Sequence, residues 1–143
     1  MAPTLGNVSS NVGSIGNQTF FDITHNHNGN FIFVTFVIQN SGDYGAVTWK
    51  GSNTVAEAGV YNQNLLRGFF GGILTSNTGS GTIRVNFTGN YNGGYSYMVR
   101  SFSNCGGIGT PGFNSRAGSI HTRTLSVTAD CRVFAQAHSA NVT

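Results

Sequence analysis

Residues 31–38 read FIFVTFVI, an almost unbroken run of aromatic and β-branched residues. The run has the length of a strand, and it predicts a central strand that is buried on both faces or lies at an interface between sheets. Residues 82–88, TIRVNFT, alternate between apolar and polar side chains, which is typical of a strand with one face in the core. The sequence NYNGG at 90–94 then predicts a hairpin turn, after which 95–102 returns antiparallel to 82–88.

The composition extends this pattern to the whole chain of 143 residues, a length typical of one domain. The chain holds 11 Phe, 5 Tyr and 21 Gly, which favours short strands joined by glycine-rich turns. The apolar segment 65–75 contains three glycines and is expected as a strand rather than a helix. We therefore predict an all-β fold, a single antiparallel β-sandwich of about eight strands, jelly-roll-like or immunoglobulin-like, that ends with strands at 119–128 and 132–138.

The first 18 residues differ from the rest because they are small and polar, with isolated apolar residues. They predict an extended N-terminal arm at 1–18 ahead of a sandwich domain at 19–143; a disordered tail is the alternative. An arm can cross to a neighbouring subunit and add a strand to the edge of its sheet. The residues expected to make such subunit contacts are Ala2, Pro3, Thr4, Leu5 and Val8.

Charged side chains are few, with seven Lys and Arg against four Asp and Glu, or 8% of the chain. The basic residues are scattered, whereas nucleic-acid binding requires a clustered patch, so we expect no nucleic-acid partner. No apolar run reaches the roughly 20 residues of a membrane span, and the N-terminus lacks the features of a signal peptide. We expect a protein made in the cytoplasm without membrane contact, unless an export signal has been removed. Its neutral polar surface suits protein assembly or contact with sugars.

Groups able to support catalysis or metal binding are sparse. The four carboxylates occupy single turn or surface positions, and there is no nucleophile motif or phosphate-binding loop. His25 and His27 are the best metal candidates, but they lie in the loop-like HNHNGN and are expected to be solvent-exposed. Cys105 and Cys131 fit no metal spacing and are expected as half-buried free thiols, unless neighbouring strands bring them together. We expect no enzyme activity, no metal and no cofactor.

Four segments in the middle of the chain carry a family resemblance: VTWKG at 47–51, FFGGIL at 69–74, SNTGSGTIRVNFTG at 76–89 and YMVRSFSNC at 97–105. Together they resemble a β-sandwich module of bacteriophage virion and appendage proteins. Two features depart from that module, since FFGGIL replaces a polar-flanked aromatic strand and SNTGSG replaces a proline-containing loop. The resemblance implies a sandwich that builds or decorates a virion surface, often as a trimer, and it implies no catalytic residue.

These observations favour a non-enzymatic structural virion protein, a capsid decoration or cement protein that stabilises the particle through subunit contacts. Its expected partners are the major capsid protein or other virion subunits, and a homo-oligomer is expected, with a trimer favoured. The alternative is a receptor-binding or carbohydrate-binding module of a phage spike, fibre or tail, with Trp49, Tyr91 and Phe113 as recognition residues beside the glycine-rich loop 104–118. A secreted bacterial surface module or pilus subunit is a third interpretation.

Overall fold

The computed structural model describes residues 1–39, 43–51, 53–63 and 66–107, and these residues form strands and connections without a helix. The strands are β1 (Thr4–His27), β2 (Phe31–Gln39), β3 (Tyr44–Trp49), β4 (Asn53–Thr54), β5 (Ala56–Gln63), β6 (Leu66–Leu74) and β7 (Gly79–Ser103). Every pairing between them is antiparallel, so the predicted all-β, antiparallel fold is confirmed. This part of the chain accordingly has no helix that could span a membrane. The strands expected at 119–128 and 132–138 lie outside the described residues.

The longest strand, β7, is the centre of the sheet. The strand order is β4-β3-β7-β2-β6-β5, and β1 pairs with the other edge of β7. The first part of β7 lies between β1 and β3, so that Val85 pairs with Phe21 on one side and Val47 on the other. The later part of β7 lies between β1 and β2. Strand β7 therefore joins the part of the sheet that contains β3 and β4 to the part that contains β2, β6 and β5.

The ladder between β1 and β7 is bent in the middle, which divides β1 into residues 4–15 and 18–27. Its register shifts just after Ile15, and Asn17 adopts a positive φ of 43°, a conformation that Asn tolerates better than most residues. Bulges of this kind bend a strand. As a result, side chains from the two parts of β1 meet in one core.

That core is built from large aromatic and β-branched side chains. Trp49 and Phe36 are its largest fully buried residues, and they are surrounded by aliphatic residues from four strands: Ile23, Ile32, Val34, Ile38, Val47, Ile83, Val85 and Val99. Strand β2 lies between β6 and β7, and none of its residues is exposed. The prediction of a central strand buried on both faces at 31–38 is therefore confirmed.

The prediction of a hairpin at 90–94 is wrong, because β7 continues through these residues without interruption. The turn-forming residues lie instead opposite the bend of β1, where Gly93 pairs with Ile15. Tyr91 anchors this part of β7 in the core: it is 3% exposed, and its hydroxyl lies 2.8 Å from the carbonyl oxygen of Gln39. Long-range contacts thus select a bent strand over a local turn.

The first 18 residues belong largely to the sheet in this structure. Residues 4–15 pair with β7 of the same chain, from Thr4 opposite Ser103 to Ile15 opposite Gly93. Strand β1 runs through the expected boundary at residue 18 and ends at His27. The jelly-roll-like or immunoglobulin-like strand order stays a prediction.

Candidate functional site

Strand β1 forms an edge of the sheet along its whole length, because β7 is its one strand partner among the described residues. Natural proteins usually protect such edges with charged residues, proline or short strands. Strand β1 is 24 residues long, contains no proline, and holds Asp22 as its single Asp, Glu, Lys or Arg. Within the described part of the chain, residues 4–21 therefore form a long and uncharged edge.

Three apolar side chains on the first part of β1 point to solvent. Leu5, Val8 and Val12 are 44%, 47% and 75% exposed. Leu5 and Val8 are three residues apart, so a regular strand would place them on opposite faces. A bulge between them shifts the register and restores a common face. We call Leu5, Val8 and Val12 the apolar stripe of β1.

The bulge beside this stripe is held by the loop that follows β1. The backbone N–H of Asn7 donates to Asn28 Oδ1 at 2.7 Å, and the side-chain amide of Asn7 donates to the carbonyl oxygen of Asn26 at 2.7 Å. A Cβ at Gly6 would overlap Asn28 Oδ1, so a glycine fits there. These hydrogen bonds therefore fix the backbone that carries the apolar stripe.

The residues expected to contact a partner lie at this surface. Two of them, Leu5 and Val8, belong to the apolar stripe. The other three surround the start of β1 with exposed or half-buried side chains: Ala2, Pro3 and Thr4. Val12 is the most exposed member of the stripe and is not among the predicted contact residues, although it stands out in the sequence as an isolated apolar residue in a polar segment.

The aromatic residues expected to recognise a receptor or sugar are placed differently. Trp49 is fully buried, and its indole N–H donates to the carbonyl oxygen of Asn77 at 3.2 Å. Tyr91 is 3% exposed. The expectation of surface recognition is wrong for both residues, because both side chains lie within the hydrophobic core. Phe113 lies outside the described residues.

The prediction that His25 and His27 lie in an exposed loop is also wrong. Both residues continue β1, pair with glycines of β7, and are 1% exposed. Alternation along the strand from Ile23 places both imidazoles in the core. Each ring packs edge-on against Trp49, with ring centroids 6.3 and 6.2 Å away. The loop-like composition of this segment conceals two core positions.

Hydroxyl and imidazole groups form a continuous hydrogen-bonded chain in this part of the core. Ser9 Oγ lies 2.9 Å from His25 Nδ1, and His25 Nε2 lies 2.8 Å from Ser101 Oγ. Ser101 Oγ lies 2.9 Å from His27 Nδ1, and His27 Nε2 lies 3.2 Å from the carbonyl oxygen of Thr75. We call Ser9, His25, Ser101 and His27 the histidine–serine chain.

The histidine–serine chain has one hydrogen-bond direction when both imidazoles are neutral. The Thr75 carbonyl can only accept, so His27 carries its proton on Nε2 and accepts at Nδ1 from the Ser101 hydroxyl. Ser101 then accepts from His25 Nε2–H, and the Ser9 hydroxyl donates to His25 Nδ1. Every ring nitrogen has a partner, and both histidines are the same tautomer.

Burial favours the neutral form of both rings. Desolvation, followed by the charge of the neighbouring His27, lowers the pKa of His25 to about 4. Desolvation also lowers the pKa of His27. Backbone hydrogen bonds to Thr75 and Gly29 oppose this effect, and the positive charge of Lys50 adds to it. Both histidines are therefore uncharged at neutral pH, as the direction of the chain requires.

The contact between Ser9 and His25 resembles the first two members of a nucleophile–base arrangement. A catalytic histidine needs a third group that stabilises its positive charge, whereas His25 donates to the neutral hydroxyl of Ser101. The described carboxylates lie elsewhere, in ion pairs or at the surface: Asp22, Asp43 and Glu57. The arrangement stabilises neutral imidazoles, which favours a structural role for this chain of groups.

The described residues contain no group of three His, Cys, Asp or Glu side chains placed to hold a metal ion. Both ring nitrogens of His25 and of His27 are already used within the histidine–serine chain. Cys105 is half-buried just after β7, and its Sγ lies 3.4 Å from the carbonyl oxygen of Gly107. Cys131 lies outside the described residues.

Comparison with protein-family models, with curated proteins and with solved structures found no match for this chain.

Proposed function

We propose that the protein is a non-enzymatic structural subunit that assembles with copies of itself through the outer surface of β1. The observation that carries this proposal is a strand edge without charged residues or proline, with one strand partner in the described part of the chain, that bears the apolar stripe on the same segment, residues 4–15. We further propose a virus particle as the setting, where such a subunit decorates or cements the capsid surface.

A second copy of this chain suits the edge because the edge is uncharged. Two copies of residues 4–15 can pair antiparallel without bringing like charges together, since the segment contains no Asp, Glu, Lys or Arg. Backbone groups on the free edge of one copy would then bond to those of the other, which is how added strands gain affinity. One such group, the Val12 N–H, is capped in the single chain by Asn11 Oδ1 at 2.8 Å.

The apolar stripe adds side-chain contacts to this backbone pairing. Val8 and Val12 of one copy would lie beside the same residues of the next, on one face of a continuous sheet. Cross-strand pairs of β-branched side chains contribute roughly 0.2–1 kcal/mol each. Assembly would also cover the exposed apolar surface, which is itself favourable.

The virus-particle setting rests on the resemblance of the middle of the chain to phage virion modules. In that setting the partners are sister subunits, the major capsid protein or other virion subunits. Pairing of β1 with β1 is a two-fold contact and gives a dimer, whereas pairing of β1 with a different edge of the neighbour is the contact that closes a trimer. The solution mass distinguishes these two assemblies. The recognition alternative has less support, because Trp49 and Tyr91 are buried.

The test places lysines on the stripe, because charged residues are what natural edges use to prevent pairing. We expect the wild-type chain to be oligomeric by light scattering after gel filtration, and the V8K/V12K variant to be monomeric. The matched control is L74K, since Leu74 is 53% exposed on β6, with β2 and β7 between it and β1. The control variant should keep the wild-type mass.

Two outcomes contradict assembly through β1. One is a wild-type chain that stays monomeric at all concentrations, and the other is a V8K/V12K variant with the wild-type mass. Circular dichroism confirms that each variant is folded. Point substitutions are preferable to deletion of residues 1–18, because the deletion also removes the buried Ile15 and the hydrogen bond from Ser9 to His25.

A further inference from the structure

We propose that the histidine–serine chain is an acid-sensitive latch, which fastens residues 4–15 of β1 to the core at neutral pH and releases them when a histidine takes up a proton. The latch concerns the folding of a single chain and goes beyond assembly through β1.

An additional proton on the histidine–serine chain would place a positive charge on a ring that is 1% exposed. A proton on His25 would enter at Nδ1, the atom that accepts from Ser9, and a proton on His27 would enter at Nδ1, which accepts from Ser101. In each case an acceptor becomes a donor, and the serine hydroxyl that faces it must reverse from donor to acceptor. Protonation of His27 would leave two ring N–H groups directed at the single oxygen of Ser101. Proton uptake therefore reverses the direction of the chain and leaves a positive charge buried in the core without a carboxylate partner among the described residues, which is costly.

The surrounding charges do not compensate a protonated ring. Lys50, just after β3, adds a positive charge that acts on His27, and each histidine is a like charge to the other once protonated. On β1, Asp22 lies on the opposite face and pairs with Arg84. The contacts from β7 and from the end of β6 are the Ser101 hydroxyl and the Thr75 carbonyl. The Gly29 backbone, just after β1, is a further hydrogen-bond partner that raises the pKa of His27, but it carries no charge. Among the described residues, no carboxylate is placed to stabilise an imidazolium.

The position of Ser9 determines which segment is released. Ser9 lies on residues 4–15, whereas both histidines lie on residues 18–27, so the Ser9–His25 hydrogen bond directly joins the two parts of β1. Residues 4–15 also form an edge with one strand partner among the described residues. Elements with few buried contacts open before the rest of a structure. Loss of the latch should therefore free residues 4–15 while β2 stays in place.

The same segment carries the apolar stripe, so acid release would also remove the surface proposed for assembly. The two proposals can fail separately. Hydrogen exchange measured on the monomeric V8K/V12K variant reports on β1 within one chain, whereas the solution mass of the wild type reports on contacts between chains.

Hydrogen–deuterium exchange measured by mass spectrometry at about pH 7.5 and about pH 5 tests the latch, after correction for the intrinsic exchange rates. The pKa of His25 is about 4 in the folded chain and 6.5 once the ring is solvated. Because the solvated ring binds a proton more tightly than the buried ring, the fraction of molecules in which residues 4–15 are detached should be roughly 30-fold higher at the lower pH. Residues 31–39 of β2 serve as an internal reference that should change far less.

Two double variants assign the response to its histidines. Glutamine keeps an amide donor and acceptor but does not titrate, so H25Q/H27Q should lose the increase at low pH. The control H121Q/H138Q replaces the other two histidines of the chain and should keep it. The proposal is overturned by a wild-type chain without the increase, by an equal increase in β2, or by an increase that persists in H25Q/H27Q.

A second measurement needs no variant, which matters if H25Q/H27Q does not fold. Nitrogen-15 chemical shifts of the wild-type imidazoles should show protonated Nε2 on both His25 and His27 at neutral pH. The protonation of His25 should begin together with the increase in exchange of residues 4–15. Imidazoles with the opposite tautomer, or a His25 that titrates near the ordinary value, would overturn the proposal.

Discussion

Replacing Ser101 by alanine removes the hydroxyl that joins the two histidines, and its effect on stability follows from the structure. Ser101 is fully buried, and its loss leaves His25 Nε2–H without an acceptor and His27 Nδ1 without a donor. A buried polar group without a partner costs about 1–3 kcal/mol. The space of one oxygen atom is too small to admit a water molecule as a substitute. We therefore expect the free energy of unfolding to fall by about 2–6 kcal/mol, the sum for the two groups.

Urea unfolding followed by fluorescence measures this loss. Trp49 is the single tryptophan of the chain and packs against both imidazoles, so it reports on the core around Ser101. The matched control is Ser103→Ala, which removes a half-buried hydroxyl two residues further along β7 and should cost less than about 0.5 kcal/mol. If Ser101→Ala costs no more than Ser103→Ala, the histidine–serine chain does not stabilise the fold and the reasoning is refuted.

Two further predictions concern pH and backbone approach. Burial lowers the pKa of His25 from 6.5 to about 4, so between pH 6.5 and pH 4 the unfolded chain binds a proton more readily than the folded chain. The contribution of His25 to the free energy of unfolding is therefore full above pH 6.5, and it falls by about 3 kcal/mol towards pH 4. Urea midpoints across this range should show the slope in wild type and a flatter slope in His25→Gln, and equal slopes would contradict the assignment. Gly29→Ala should cost about 1–3 kcal/mol because a Cβ there would overlap the backbone carbonyl of Phe102. Gly16→Ala is its control, since a Cβ at Gly16 has no neighbour within 4 Å, and a similar shift in melting temperature for both would count against the close approach.

The all-β fold could be predicted because its signals are local. The apolar run at 31–38 and the alternation at 82–88 each depend on neighbouring residues alone, and both correspond to strands in the structure. The path of the chain at 90–94 could not be predicted in the same way. Asn and Gly permit either a hairpin or a bent strand there, and the outcome depends on contacts that Tyr91 makes with Gln39, which is 52 residues away in sequence.

The candidate site was predictable for the surface of β1 and not for the core behind it. Leu5 and Val8 stand out because apolar residues are rare in a polar segment, and they are exposed as expected. His25 and His27 are surrounded by Asn and Gly, so local composition indicates a loop. Their burial depends on pairing with Gly81 and Gly79, and the Ser101 hydroxyl that contacts both rings is 76 residues from His25 and 74 residues from His27 in sequence. No local pattern contains that information.

Strand β1 carries the apolar stripe on its outer face and is joined to the core by a hydrogen bond on its inner face. Its outward residues between 4 and 15 are uncharged and partly apolar, whereas Ser9 on the inner face is held by a hydrogen bond to a buried imidazole. Val8 and Ser9 are neighbours on opposite faces, so a change in the inner contact must also move the outer one. Burial of apolar groups would hold the strand at every pH, whereas the histidine–serine chain holds it only while both imidazoles are neutral. If both proposals hold, the subunit forms stable contacts at neutral pH and loses them on acidification, without any change in the residues at the contact itself.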